Sequence, residues 1–351
     1  MSYKDGFMAM NLEMPERVPR TEYSAHTHWD LVNAVTGLDI NQNSREEEKS
    51  NASNMFRNAW NYDFIWGVSI HEKDLDAKRV HMGHAEYEQG GTDYNDKVDN
   101  PFKSPEEVFK IDFDKTYPRA TKNEITKRFE DHWHSIKNSV DAVPTTGTYI
   151  TLMSGMIGAF GWDNLLMAAG IDSKQFGRTM DRYTDWMMLY FEALAETDFP
   201  TVMIHDDIVW TSGPFLAPEF YREYIFPNYK KMFEPLHQAN KIISYTSDGD
   251  YTMFVDDIAG CGVNGFVMEP TTNMEYIAEN YGKTHFFVGN ADTRILLSGT
   301  RNEIENEVKR CMNIGKSCPG FIMAVGNHIP SNTPVENALW YEECYKKYSK
   351  R

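Results

Sequence analysis

Polar side chains that could bind a metal ion or transfer protons follow several apolar segments in the last third of the chain. Asp248, Glu269, Asp292 and His328 each follow a different short apolar run. Carboxylate oxygens and imidazole nitrogens bind zinc, and a catalytic zinc site takes three such ligands and keeps one position open. The same residue types also cap helices and pair with arginine, as Asp292 could with Arg294.

A second cluster, His205-Asp206-Asp207, places an imidazole beside two carboxylates on one turn of the chain. Such a group could move protons, bind a metal or hydrogen-bond to a substrate, or it could be a packed histidine in a loop capped by aspartate. Tyr245 and Trp66 lie near predicted strand ends, where aromatic rings line apolar pockets or hold cations, or simply pack in the core. We take these five residues as candidate substrate-binding residues.

Short apolar runs precede the polar clusters and predict the elements that must position them. Runs of four or five apolar residues are typical of buried parallel strands, and helical patterns separate them, so the repeating unit is strand, loop, helix. Two earlier segments, 62–70 and 147–153, also read as strands, and 163–170 reads as a helix. The five later runs are 201–205, 241–245, 265–268, 285–288 and 321–325.

This alternation predicts an α/β fold, namely a (β/α)8 TIM-type barrel over residues 61–351 with an N-terminal helical extension over residues 1–60. Such a barrel takes roughly 250 residues, and its active site lies at the carboxyl ends of the strands. A doubly wound sheet is the alternative architecture. Residues 71–102 are charged and contain glycine, and we expect an irregular excursion or hairpin there.

Composition narrows the classes of function. The 351 residues carry a net charge of 35 − 52 = −17 without a basic run, which argues against nucleic acid or an anionic membrane as partner. No apolar stretch approaches the roughly 18 residues of a membrane span, and the first residues lack a signal-peptide core. The cysteines show no metal-binding spacing, so we expect a reduced cytoplasmic protein. They are Cys261, Cys311, Cys318 and Cys344.

Several motifs, taken together in their order and spacing, resemble the uroporphyrinogen decarboxylase-like superfamily. The resemblance covers most of residues 145–345, and it implies a distorted (β/α)8 barrel with its pocket at the carboxyl face. Signatures of serine hydrolases, P-loop proteins and dinucleotide-binding folds are missing from the sequence. The motifs are Asp206-Asp207 with Gly213-Pro214, then Thr246-Ser247-Asp248-Gly249, Gly289-Asn290-Ala291-Asp292, and Gly326-Asn327-His328-Ile329-Pro330.

Two activities divide that superfamily. The decarboxylases carry an arginine-rich N-terminal motif for a substrate with eight carboxylates, whereas this chain has only Arg17 and Arg20 close together. The other branch contains corrinoid-dependent methyltransferases, which commonly hold zinc with a His-x-Cys pair and a later Cys. This chain has Thr246-Ser247-Asp248 and Gly326-Asn327-His328 at those positions, so the resemblance implies a harder metal centre, suited to an oxygen or amine leaving group.

We therefore predict a metal-dependent methyltransferase, the demethylase component that moves a methyl group from a small methylated substrate to the cobalt of a corrinoid on a partner protein. A methoxylated aromatic is the favoured donor, and a homodimer is also considered. The predicted ligands of zinc or another divalent ion are Asp248, Glu269 and His328, with Asp248 and His328 catalytic and Asp292 in reserve. The alternatives are a metal-independent decarboxylase of a carboxylic acid and a non-catalytic barrel that serves as a binding module.

Overall fold

Strands and helices alternate along the chain in the computed structural model, which describes residues 2–75, 78–80 and 100–351. Most of the excursion predicted for residues 71–102 lies outside the described residues. Contacts between residues divide the chain into two compact units. The first consists of Met1–Trp66, His134–Thr145 and Asn264–Arg351, and the second of Gly67–Trp133 and Thr146–Val263.

Within each unit the described strands pair in parallel, apart from one short antiparallel hairpin, as the buried apolar runs predict. The first unit contains β1 (Phe64–Ile65), the start of β2 (Val143–Thr148), β7 (Gly265–Met268), β8 (Phe286–Ala291) and β9 (Phe321–Val325). The second unit contains β3 (Thr201–His205), the hairpin strands β4 (Val209–Trp210) and β5 (Gly213–Pro214), and β6 (Ile242–Ser247).

The strand register fixes which side chains are neighbours. In the first unit β8 pairs in parallel with β7 on one side and β9 on the other. In the second unit β3 pairs in parallel with β6, and His205 lies directly beside Thr246. Since side chains alternate along a strand, neighbours in register point to the same face of the sheet.

Helices follow most of the strands. Those of the first unit are α1 (Tyr3–Met10), α2 (Trp29–Thr36), α3 (Glu46–Ala59), α12 (Met274–Tyr281), α13 (Thr293–Ser298), α14 (Arg301–Gly315) and α15 (Val335–Tyr348). Those of the second unit are α4 (Pro105–Lys110), α5 (Phe113–Thr116), α6 (Lys122–Ile136, which ends in the first unit), α7 (Met153–Ile171), α8 (Ser173–Ala195), α9 (Pro218–Phe220), α10 (Phe226–Gln238) and α11 (Val255–Ala259).

The predicted α/β class with the alternation of a TIM-type barrel is confirmed. The division of the chain at residues 60 and 61 stays a prediction, with α1, α2 and α3 lying within residues 1–60. Three of the predicted elements have wrong boundaries. β1 covers only Phe64–Ile65 instead of 62–70, β2 occupies Val143–Thr148 instead of 147–153, and α7 begins at Met153 instead of residue 163. Pairing with β1 accounts for the earlier strand, since Phe64 lies beside Val143.

Most residues of the apolar runs are buried in the structure. Every residue of β8 and of β9 is buried, and all four cysteines are free thiols in the interior. Over the described part of the chain, the helices lack the combination of length and apolar character that a membrane-spanning segment requires.

Candidate active site

The end of β3 and the residues after it supply the functional side chains of the second unit. Because side chains alternate along an extended strand, His205 and Asp207 point to one face and Asp206 points to the other. Thr246 of β6 lies beside His205 in register, so it shares the first face. Tyr245 shares the opposite face with Asp206.

His205, Asp207 and Asp248 form a cluster of potential metal ligands. One donor atom from each residue lies within 4.8 Å of the other two. His205 Nε2 is 3.4 Å from Asp207 Oδ1, and the same oxygen accepts a hydrogen bond of 2.9 Å from the backbone amide of Asp248. The structure therefore joins one predicted metal ligand, Asp248, to two residues that the sequence placed in the substrate site.

Burial differs across this cluster. The side chain of His205 is 13 % exposed and that of Asp207 is 32 % exposed, whereas Asp248 is open to solvent. Desolvation lowers the pKa of His205, and the negative charges of Asp248 and Asp206 offset this only in part. The imidazole is therefore neutral near pH 7 and keeps a nitrogen lone pair, the form in which histidine binds metals.

The surroundings of His205 hold its ring in place. The ring of Tyr149 lies 4.6 Å from the imidazole ring, measured between centroids. The hydroxyl of Thr151 donates to the carbonyl oxygen of His205 at 2.9 Å. His205 Nδ1 is buried and has no hydrogen-bond partner among the described residues, which is a costly arrangement unless another group engages the ring.

Asp206 and Tyr245 face the protein interior. Both are fully buried, and the hydroxyl of Tyr245 donates to the carbonyl oxygen of Asp206 at 3.0 Å. Tyr229 donates to Asp206 Oδ2 at 2.5 Å. Burial raises the pKa of Asp206, while this tyrosine and three backbone amides act in the opposite direction. The contacts of Asp206 and Tyr245 are with the protein itself, so their role as substrate ligands stays a prediction.

Gly249 allows the loop after β6 to pack against the hairpin that follows Asp207. Its φ of +83° lies in the left-handed region, and a Cβ there would come within 2.6 Å of the carbonyl oxygen of Trp210. That oxygen also accepts a hydrogen bond of 3.0 Å from the amide of Asp250. A glycine is thus required directly after Asp248 for this close approach.

The remaining predicted ligands lie in the first unit. Asn327 joins two of them, because its side-chain amide donates to Glu269 Oε1 at 2.5 Å and its Oδ1 accepts from the backbone amide of His328 at 2.8 Å. The His328 ring contacts the ring of Tyr23 edge-on at 4.7 Å. Their part in metal binding stays a prediction.

Trp66 and Asp292 also belong to the first unit. The ring of Trp66 lies 4.6 Å from that of Phe64, and its indole nitrogen is buried without a hydrogen-bond partner in the described part of the chain. Asp292 Oδ1 accepts the backbone amide of Arg294 at the start of α13, and its carboxylate pairs with the Arg294 side chain at 2.7 Å. Asp292 therefore caps a helix and pairs with Arg294, the two roles that the sequence analysis gave as alternatives to metal binding.

The two N-terminal arginines are both paired with carboxylates of the protein. Arg17 forms a bidentate pair with Asp63, at 2.8 and 2.5 Å. Arg20 is fully buried, donates to Glu22 Oε1 at 2.7 Å and forms a second ion pair with Glu342. Both guanidinium groups are thus engaged by carboxylates of the first unit.

Sequence reasoning missed the residues that support the cluster, namely Tyr149, Thr151, Ser154 and Tyr229. Tyr149 and Thr151 fall inside the predicted strand 147–153, Ser154 directly follows it, and Tyr229 lies in α10. Their contacts depend on long-range packing. The shared face of His205 and Asp207, in contrast, follows from strand alternation alone. This signal could have placed His205 with Asp207 as ligands from the sequence.

The arrangement can bind a divalent cation. Its donor set is one neutral imidazole and two carboxylates, which are donor types that zinc and other divalent ions accept. The exposed position of Asp248 leaves one side of the cluster accessible to a small molecule.

Comparisons with known proteins extend this description. The family model for uroporphyrinogen decarboxylase (URO-D) matches residues 91–348. The uroporphyrinogen decarboxylase of Syntrophotalea carbinolica is 27% identical over 169 residues, 48% of each chain. That of Geobacter sulfurreducens is 26% identical over 208 residues, 58% of this chain and 59% of the relative. The chain thus matches about half the length of its first curated relative and somewhat more of the second.

A solved structure of a methyltransferase from Methanosarcina mazei is similar over 99% of both chains, with a TM-score of 0.67 and 15% sequence identity. At this level of identity the similarity shows a shared fold.

Proposed function

The chain belongs to the uroporphyrinogen decarboxylase family, as its motifs indicated, and within this enzyme family we propose that it transfers a methyl group. The proposed donor is a small methylated molecule, with a methoxylated aromatic favoured. The proposed acceptor is the cobalt of a corrinoid carried by a partner protein. The observation that carries the proposal is the cluster of His205, Asp207 and Asp248, which combines a neutral nitrogen donor with two carboxylates on accessible strand ends.

The N-terminal arginines argue against a porphyrinogen substrate. A substrate with many carboxylates requires cationic side chains that are available to it. Arg17 and Arg20 instead pair with Asp63, Glu22 and Glu342 of the chain itself. Releasing either arginine would leave a buried carboxylate uncompensated, which costs several kcal/mol. The net charge of −17 also disfavours a polyanionic substrate.

His205, Asp207 and Asp248 are the residues that would hold the ion. Asp248 keeps the role that the sequence predicted for it, and Glu269 and His328 remain candidates for which metal analysis is the test. A bound divalent ion supplies Lewis acidity that stabilises negative charge on a departing oxygen.

The protein's own residues would hold and orient the reactants. The amide of Asp248 fixes the Asp207 carboxylate through their hydrogen bond of 2.9 Å, so that Asp207 Oδ1 stays on the side of the imidazole. Tyr149 and Thr151 restrain His205, and a restrained ligand needs less ordering when the substrate arrives. The solvent-exposed side at Asp248 is where the methyl donor would enter.

Metal analysis with matched variants tests the proposal. We expect about one equivalent of zinc or another divalent ion in the purified protein, and its loss in His205→Ala and Asp248→Asn. His237→Ala is the control, because His237 lies in the same unit, is exposed and hydrogen-bonds to the carbonyl oxygen of Gly262 at 2.9 Å, away from the cluster. The same measurement on His328→Ala decides whether His328 belongs to the site. Unchanged metal content in His205→Ala and Asp248→Asn would remove this cluster as the metal site.

The sequence identity to decarboxylases makes metal-independent decarboxylation the second candidate. An activity assay separates the two. The proposed function predicts methyl transfer from methoxyaromatics or methylamines only when a corrinoid protein is supplied, and its loss with a chelator. Chelator-resistant release of carbon dioxide from a carboxylic acid, without a corrinoid protein, would favour the decarboxylase.

A further inference from the structure

The carboxylate of Asp206 is surrounded by four hydrogen-bond donors. Oδ1 accepts the backbone amides of Leu152 at 3.2 Å and Ser154 at 2.7 Å, and Oδ2 accepts that of Met153 at 3.0 Å. The hydroxyl of Tyr229 donates to Oδ2 at 2.5 Å. The three amides are those at the start of α7, which have no partners within the helix and carry its positive dipole end.

The two neighbours of Asp206 are bonded to the same segment. Thr151 donates from its hydroxyl to the carbonyl oxygen of His205 at 2.9 Å. The backbone amide of Asp207 donates to Ser154 Oγ at 2.8 Å. Three consecutive residues of the β3 end are therefore tied to one helix terminus.

This arrangement constrains the side chains on the opposite face. With the backbone of 205–207 fixed on both sides of Asp206, the directions of the His205 and Asp207 side chains are fixed as well. We propose that Asp206 is a positioning residue, whose bonds to the start of α7 set the geometry of the His205 and Asp207 donors. The proposal rests on the proposed function, in that the donors it positions are those of the metal cluster.

A positioning role differs from a general contribution to stability. Supporting groups behind metal ligands typically change metal affinity by 10–100-fold when mutated. Replacing an aspartate that only caps a helix, by comparison, lowers the stability slightly and leaves a distant metal site unchanged. Asp172 is such a residue, since its Oδ1 accepts the amide of Gln175 at the start of α8 in the same unit.

Cobalt binding to the full-length protein is the test, followed by the visible absorption of bound Co²⁺, which reports the coordination geometry. Asp206→Asn presents an N–H group to amides that need an acceptor, so we expect cobalt affinity to fall at least about 10-fold, with an altered spectrum. Asp206→Glu keeps the charge but displaces the carboxylate, and we expect a loss in the same direction. Asp172→Asn should bind cobalt like the wild type.

Ser154→Ala provides a milder variant in case Asp206→Asn does not fold. It removes only the acceptor of the Asp207 amide, and we expect a smaller loss of cobalt affinity. Wild-type affinity and spectrum in Ser154→Ala and in a folded Asp206 variant would overturn the inference, as would an equal loss in Asp172→Asn. If the wild-type protein binds neither cobalt nor zinc, the proposed metal site itself is wrong. This result is distinguishable from a failure of the positioning role alone.

Discussion

The amide of Asp248 donates to Asp207 Oδ1 at 2.9 Å, and this hydrogen bond joins the residues that follow two neighbouring parallel strands. Asp207 follows β3 and Asp248 follows β6, and the strands are in register from Thr201 to His205. The two carboxylates therefore stay together only while the strand ends and their loops keep these positions. The first predictions concern the groups that maintain this relationship.

Gly249→Ala should disturb Asp248. The added Cβ would come within 2.6 Å of the Trp210 carbonyl oxygen, so the loop must shift in addition to the cost of a left-handed alanine. We expect a loss of about 2–4 kcal/mol in the free energy of unfolding and weaker metal binding. Gly37→Ala is the control, because Gly37 has a φ of +73° but nothing within 4 Å of its Cβ position. Equal losses in the two variants, measured by denaturant unfolding, would contradict the role of the close contact.

Zinc should stabilise the protein through His205. A ligand that binds only the folded state at 100 times its Kd adds about 2.7 kcal/mol of stability. We expect zinc to raise the Tm of the wild type and of His237→Ala, and to leave the Tm of His205→Ala unchanged. Differential scanning calorimetry with and without zinc makes the comparison. An equal zinc-induced shift in His205→Ala would show that the ion binds elsewhere.

Tyr229→Phe should weaken the support of Asp206. The Tyr229 hydroxyl donates to a carboxylate, and such bonds contribute about 1.5–3 kcal/mol. Tyr221→Phe is a matched variant, because the hydroxyl of Tyr221 donates to the neutral carbonyl oxygen of Ile208 at 2.6 Å. We expect Tyr221→Phe to cost less, about 0.5–1.5 kcal/mol. Urea unfolding of both variants tests the order, and a reversed order would contradict it.

Arg20→Ala should strongly destabilise the first unit. Arg20 is fully buried, pairs with Glu22 and Glu342, and lies over the rings of Trp60 and Tyr345 at 4.8 and 4.5 Å. Its removal leaves buried carboxylates without a cation, which costs about 3–5 kcal/mol.

Arg45→Ala is the matched control for Arg20→Ala. Arg45 is exposed and forms a surface ion pair with Glu48, so its removal should leave the stability almost unchanged. Denaturant unfolding measures both variants, and a loss below about 1 kcal/mol in Arg20→Ala would contradict the prediction.

His26 should make the stability depend on pH. Burial, and secondarily the charge of Arg57, lowers the pKa of His26 from 6.5 to about 3. Between these values the unfolded chain binds more protons than the folded one, so this group costs stability as the pH falls below about 6.5. The loss is about 1.4 kcal/mol per pH unit in that window.

The variant His26→Leu isolates this contribution, because buried carboxylates such as Glu22, whose pKa burial raises, act in the opposite direction. As the pH falls below 6.5, we expect the unfolding free energy of the wild type to decrease relative to that of His26→Leu. A difference that is constant from pH 4 to 7 would contradict the lowered pKa.

The sequence predicted the strands better than the partners of the site residues. The segments predicted to begin at Thr201, Gly265 and Phe321 begin where β3, β7 and β9 begin, because each strand starts with its apolar run. The start of α7 was wrong, because the carboxylate of Asp206, more than fifty positions away, accepts the amides that begin the helix. No local pattern contains that information.

The sequence identified the residues of the metal cluster but not that they lie together, because their proximity also depends on long-range contacts. Asp248 and the group at 205–207 were recognisable as polar residues after apolar runs. Their proximity depends on the pairing of β3 with β6, and the apolar runs do not specify which strands pair. Pairing order is a property of the whole fold.

Because every cysteine is buried, the rate of thiol labelling reports how often the fold opens. Desolvation raises the pKa of Cys261 and of Cys311 to about 12, so neither reacts while it is enclosed. Cys261 belongs to the second unit, and the other three thiols belong to the first. Labelling rates resolved by peptide mass spectrometry would therefore give a separate lifetime for each unit, without introducing any probe.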